Sequence, residues 1–219
     1  MGYNPPMREL FALGVLSLVS FAQDPLTADR KHHKVDLEND WVRVLRVHYE
    51  PEEGSPMHEH TAGVRVFLTD IHGRFTNADG SASEATRGAG DVIWAEGVRH
   101  ANTNLSRHPV EMIELELKHG VLRPAGPDST RSLGEAPERV LFEKESVRVL
   151  RAAVPEHGGL SPHVHRKSVI ITVQSSTSGD SASAAIPKAT VDWAEVAPHT
   201  IPDARTGPLL VVVIELKNT

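Results

Sequence analysis

The 219-residue chain is 39% apolar, 24% charged and 5% aromatic, a globular mixture that excludes wholesale disorder and a polytopic membrane protein. Its 23 basic and 29 acidic side chains leave a net charge of −6, the wrong sign for a general nucleic-acid binder. It has no Cys but 13 His, so disulfides, Cys-based zinc sites and thiol nucleophiles are excluded, and imidazole is the side chain left to carry chemistry.

The chain opens with an uncharged apolar run, Leu10 to Val19. A spanning helix needs about 20 such residues, so this run is too short to cross a membrane and suits a secretory signal. Ser20 and Ala22 place small residues for a cut before Gln23. Residues 1–22 are therefore expected to be removed on export to the periplasm or the extracellular space. Residues 23–34, including Lys31-His32-His33-Lys34, read as a solvated N-terminal arm.

From residue 35 the chain repeats itself. Val42-Arg43-Val44-Leu45-Arg46 recurs 105 residues later as Val147-Arg148-Val149-Leu150-Arg151, and at that offset His58 and His60 fall on His163 and His165. Further along, the offset becomes 99: Trp94-Ala95-Glu96 matches Trp193-Ala194-Glu195, His100 matches His199, and Glu116-Leu117-Lys118 matches Glu215-Leu216-Lys217. Each copy is made of short, β-branched, alternating runs punctuated by Gly, Asp and Asn turns, the pattern of a sandwich or barrel. The expected boundaries are 35–119 for the first unit, 120–138 for a Pro/Gly/Ser linker and 139–219 for the second. Ser175 to Ala184 reads as a hairpin loop. Units of 80–90 residues bury too little of their own surface to stand alone comfortably, so the two are expected to dock.

His58 and His60 sit at i and i+2 of a strand and so face one side, with His100 following after a turn. His163, His165 and His199 repeat the arrangement. Three neutral imidazoles gathered inside a barrel suit Fe, Zn, Mn, Ni or Cu better than Ca or Mg, which prefer oxygen. Trp94 and Trp193 are expected to anchor the core. Glu96 and Glu195 either orient a ligand His or lie exposed on loops. Arg43 and Arg148 are expected in ion pairs. Glu114 and Glu116 alternate with Ile113 and Leu115, so one face of that strand is acidic. If that face looks inward, Glu114 is a candidate general base or fourth ligand.

These residues resemble the cupin superfamily, whose motifs are G-(X)5-H-X-H-(X)3–4-E-(X)6-G and G-(X)5-P-X-G-(X)2-H-(X)3-N. The first is met by His58, His60 and approximately Gly73, with Gly54 two residues too close to His58. The second is met by Gly90, Gly97, His100 and Asn104, one residue short and without its Pro. In the second copy Ala189 and Val196 replace the glycines, and Asp203 stands where Asn104 does. The resemblance implies an all-β bicupin, two tandem jelly-roll barrels behind the signal segment. By similarity the metal ligands are His58, His60 and His100 in the first barrel and His163, His165 and His199 in the second. The family carboxylate falls on Val64 or Arg65, and on Val169 or Ile170, none of which ligates. Such three-His sites resemble those of small dioxygenases. The expected function is a metal-dependent, dioxygenase-like enzyme acting on a small molecule through the first barrel, or else a non-catalytic ligand- or metal-binding protein. The expected partners are a small molecule and, through open strand edges, a second copy in a homodimer, with no nucleic acid and no membrane after signal cleavage.

Overall fold

The structure, a computed structural model, describes residues 23–118, 138–158, 160–174, 186–201 and 207–217. The expected signal segment 1–22, the expected linker up to residue 137 and the expected hairpin loop Ser175 to Ala184 lie outside the described residues. Just before the repeat sits a one-turn helix, α1 (Pro25–Ala28), with Pro25 in its first turn and the Asp24 carboxylate accepting from Leu26 N at 2.9 Å, a proper N-cap.

All else of regular structure among the described residues is β. The first half runs β1 (His33–Glu38), β2 (Val42–Tyr49), β3 (Gly54–His60), β4 (Gly63–Phe67), β5 (Ile71–Asn77), β6 (Ala82–Arg87), β7 (Val92–Ala95), β8 (Val98–Asn104) and β9 (Val110–Leu117). The second runs β10 (Arg139–Glu143), β11 (Val147–Val154), β12 (Leu160–Val164), β13 (Ser168–Gln174), β14 (Ala189–Ala194), β15 (Pro198–Ile201) and β16 (Leu209–Leu216). One five-stranded sheet has the order β1-β2-β9-β4-β7 and the other β10-β11-β16-β13-β14, the same order strand for strand under the repeat. Smaller sheets, β3-β8-β5-β6 and β12-β15, complete the two halves. The likeness reaches irregular features: β1 bulges between Val35 and Leu37, and β10 between Val140 and Phe142. The turn before β3 is made by Glu52 at φ 67, and its counterpart by His157 at φ 60. Gly54 itself is extended, and it is Gly because a Cβ there would lie 1.9 Å from the Asn102 carbonyl oxygen.

Alternation along the strands decides what each face covers. Val42, Val44, Val64, Val66, Leu68, Ile113, Leu115 and Leu117 face the other half, where Val147, Val149, Val169, Ile171, Val173, Val212, Ile214 and Leu216 meet them in one buried cluster. Each of the first eight is the repeat equivalent of one of the second eight. The expected docking is thus sheet on sheet. Trp41 and Trp193 stack across it at 5.5 Å and 4°, and Lys167 lies over Trp41 at 3.9 Å. Arg46 donates to the Ala189 carbonyl at 3.0 Å, and its counterpart Arg151 to the Gly90 carbonyl at 3.4 Å.

The opposite face of the first five-stranded sheet looks into its own half, and it changes character along β9. Val110 and Met112 pack with Leu45, Val47, Tyr49, Phe67 and Ile71 at the apolar end. Glu114 and Glu116 follow on the same face and are both buried, so the acidic face of that strand does look inward. This polar end receives the histidines.

Candidate metal centre

In the first half β3 presents His58 and His60 on one face, and the antiparallel register sets His100 of β8 opposite His58. A third imidazole comes from β1. His33 is buried, and one donor atom from each of His33, His58 and His60 lies within 4.8 Å of the others. The expectation that His32-His33 belongs to a solvated arm is therefore wrong: His33 is 3% exposed. The tether is polar. The Asp29 carboxylate bonds His32 Nδ1 at 2.7 Å and accepts from the Ser55 hydroxyl, while His32 Nε2 meets Glu53 at 3.1 Å. Asp24, capping α1, pairs with Arg43 at 2.6 Å.

Each of the three rings has its Nδ1 committed. That of His33 donates to the Asp29 carbonyl at 3.0 Å and that of His58 to the Pro56 carbonyl at 2.7 Å. His60 Nδ1 lies 2.9 Å from Glu116 Oε1 and 3.3 Å from Glu114 Oε2. Carbonyls and ionised carboxylates only accept, so the proton sits on Nδ1 and Nε2 keeps its lone pair, the usual device for orienting ligand imidazoles. The Nε2 atoms of His58 and His60 are 2.8 Å apart. His100 stands beside this trio, its ring centroid 5.0 Å from that of His58 and 5.6 Å from Phe75. Burial pushes His33 and His58 below the ordinary histidine value, and burial together with the Arg65 charge takes His100 to about 3. These three rings are neutral near pH 7, the form that ligates.

The two positions where the family carboxylate falls have separate fates. Val64 points into the core between the halves. Arg65 faces the interior, where its Nε lies 2.9 Å from Glu114 Oε1. Burial opposes the ionisation of Glu114, but His60, Arg65 and the other imidazoles hold its pKa at about 2. Inward carboxylates therefore exist in this half, but on β9 rather than β4. Glu116, bonded to His60 and to Arg43 at 2.8 Å, orients the ligand. Glu96 and Glu195 do not: they accept from the Trp94 and Trp193 indoles at 2.7 and 2.8 Å. Asn104 ties the end of β8 to the Tyr49, Glu50 and His108 carbonyls at 3.3, 3.2 and 3.1 Å.

In the second half Glu138, His163 and His165 form the matching cluster, again within 4.8 Å. His165 Nδ1 meets Glu215 at 2.9 Å, as His60 meets Glu116, and its Nε2 lies 3.1 Å from Glu138. Burial works against a charged His165, yet the two carboxylates raise its pKa to about 9. His199 is opposite His163 in the backbone register, and its side chain is outside the described residues. Glu138 and His33 are 105 residues apart, the offset that relates His58 to His163. Carrying the repeat one strand further upstream aligns two ligand-type residues, and that signal would have revealed both.

Both donor sets fit a divalent transition ion: convergent and largely buried, with the rings of His33, His58, His60 and His165 held by oxygens behind them. No family model and no curated protein matches the sequence. Solved structures do match. A cupin 2 conserved barrel domain protein from Leptotrichia buccalis superimposes with a TM-score of 0.50 at 15% identity, over 84% of this chain and 88% of that one. AerE from Microcystis aeruginosa gives 0.51 at 11%, over 84% and 97%. Oxalate decarboxylase from Lactobacillus farciminis gives 0.50 at 11%, over 85% and 80%. The fold is that of the cupin proteins. In this cupin fold the histidine clusters lie where the smaller sheet of each half faces the polar end of the larger one.

Proposed function

We propose that the chain is an exported bicupin whose first barrel holds a divalent transition ion and acts as a metal-dependent, dioxygenase-like enzyme on a small molecule. The observation that carries this reading is the convergence of His33, His58 and His60 within 4.8 Å, each with its Nδ1 proton already given to a protein oxygen. These three would hold the ion, with His100 next in reach. When bound, the ion supplies Lewis acidity that chelates and acidifies a small molecule and, if it is iron, electrons for reaction with O2. The protein's own part is positional. Asp29, Pro56 and Glu116 fix the ring orientations, and the apolar end around Met112 and Val110 closes one side to water. The Glu114 charge is shared between His60 and Arg65, so it steadies both. The second barrel, with Glu138, His163 and His165, is proposed as a further metal site.

Metal analysis of protein purified without chelator comes first, and less than about 0.3 ion per chain would overturn the reading. Oxygen uptake by the Fe(II)-loaded protein on a panel of diketones, thiols and catechols tests the enzymatic part. Metal without turnover anywhere in the panel would leave a binding protein.

A further inference from the structure

We propose that Arg65 is an anion-binding subsite of the first-half centre, selecting small organic carboxylates whose remaining donor group reaches the ion. This deepens the reading of that cluster as a metal centre and rests on it.

The placement follows from register. Val64 and Val66 are buried between the halves, so Arg65 between them faces the interior, opposite Glu114 of β9. Its Nε lies 2.9 Å from Glu114 Oε1, and the other oxygen of that carboxylate lies 3.3 Å from His60 Nδ1. One carboxylate thus separates the guanidinium from a ligand ring. Among the described residues Arg65 donates no hydrogen bond; its side chain is 15% exposed, and its contact with Glu114 is an ion pair whose nearest atom is Nε. A guanidinium paired on its Nε side keeps the donors of its Nη atoms for a fork that takes a carboxylate in two parallel hydrogen bonds.

The second half supplies an internal control. At the positions equivalent to Arg65 and Glu114, also directly paired, stand Ile170 and Val213, packed in a small apolar cluster with Leu150. The scaffold builds this level of the sheet with aliphatic side chains. A buried ion pair costs desolvation that such side chains avoid, and replacing one by well-packed hydrophobes is often neutral or stabilising. Stability alone therefore does not account for Arg65 and Glu114. A charge kept beside neutral imidazoles, with donors to spare, fits an anionic ligand.

The test uses full-length protein loaded with redox-inert Zn(II). Isothermal titration calorimetry compares the diacids from oxalate to glutarate with their monoamides, which keep the shape but lose one charge. At least one diacid is expected to bind about tenfold or more tightly than its monoamide. Arg65→Met should erase that margin with metal content unchanged, and Arg65→Lys should restore part of it. Should Arg65→Met fold poorly, the double variant Arg65→Ile/Glu114→Val copies the second half. It is expected to keep its metal, to melt no lower than the parent and to lose the diacid preference. Equal binding of every diacid and its monoamide overturns the proposal. So does a margin that survives in either variant, or a double variant that does not fold, since the pair would then be structural. Failure of the parent reading looks different: zinc itself would not bind.

Discussion

The two halves share a scaffold down to the bulges of their first strands, yet their histidine clusters differ in what they hold. In the first half, three imidazoles converge, and burial keeps His33 and His58 below their ordinary pKa. In the second, a carboxylate, Glu138, stands at the His33 position, and together with Glu215 it raises the pKa of His165 to about 9 against the effect of burial. Beside the first cluster lies a buried ion pair, and at the same level of the second lie Ile170 and Val213. What both copies retained is the support: Glu116 behind His60 and Glu215 behind His165, each at 2.9 Å. Duplication kept the orienting groups and let the donors diverge. The nitrogen-rich first site should favour late, softer ions, and the mixed second site should tolerate harder ones.

The largest effect expected is loss of a whole ion. His58→Ala should empty the first half and leave the second filled, and His163→Ala should do the reverse, read by inductively coupled plasma mass spectrometry. If neither change lowers the metal count, both sites are misassigned. Next comes the support. Glu116→Gln should weaken metal binding in the first half about 10–100-fold while sparing the second, measured by competition with a chromophoric chelator. A uniform effect on both halves would dissolve the comparison. Exchanging the donors, His33→Glu in one variant and Glu138→His in another, should shift the preference between Mn(II) and Ni(II) about tenfold in opposite directions. Parallel shifts would mean that position does not ligate.

The smallest effect is on the pH dependence of chelator-stripped protein. His165 titrates at about 9 when folded, above its ordinary 6.5, so its contribution is full below pH 6.5 and fades as pH climbs through 9. His100, held at about 3 when folded, acts oppositely: stability falls as pH drops from 6.5 toward 3, where the unfolded chain gains the proton first. Thermal melts across pH should show both flanks, and His165→Gln should flatten only the alkaline one. An alkaline flank unchanged by that substitution would show His165 uncharged in the fold.

The β content and the His58, His60 and His163, His165 pairs were legible because a period of two and a duplicated chain both leave marks in one dimension. The inward view of Glu114 and Glu116 was legible as an alternation without a direction, since the sign of a face depends on which sheet covers it. His33 was hidden for another reason. A basic cluster next to an expected export signal looks solvated in isolation, and its burial comes from Asp29, Ser55 and Tyr49, contacts that only folding creates. The positions near Val64 carry no carboxylate, and Glu114 of β9 stands directly across the ladder from Arg65. Sequence spacing does not give the register that sets two residues so far apart in the chain opposite each other.

The apolar face between the halves has a history written into it. Eight side chains from one copy and their eight repeat equivalents from the other share one cluster there, the pattern of an isologous contact, the kind that closes a two-fold dimer. A one-copy ancestor would have exposed that greasy surface to water and mated with itself. Holding both copies in one chain makes that contact permanent and lets one histidine cluster change while the apolar face is maintained. Either half produced alone should regain the ancestral habit and sediment as a pair.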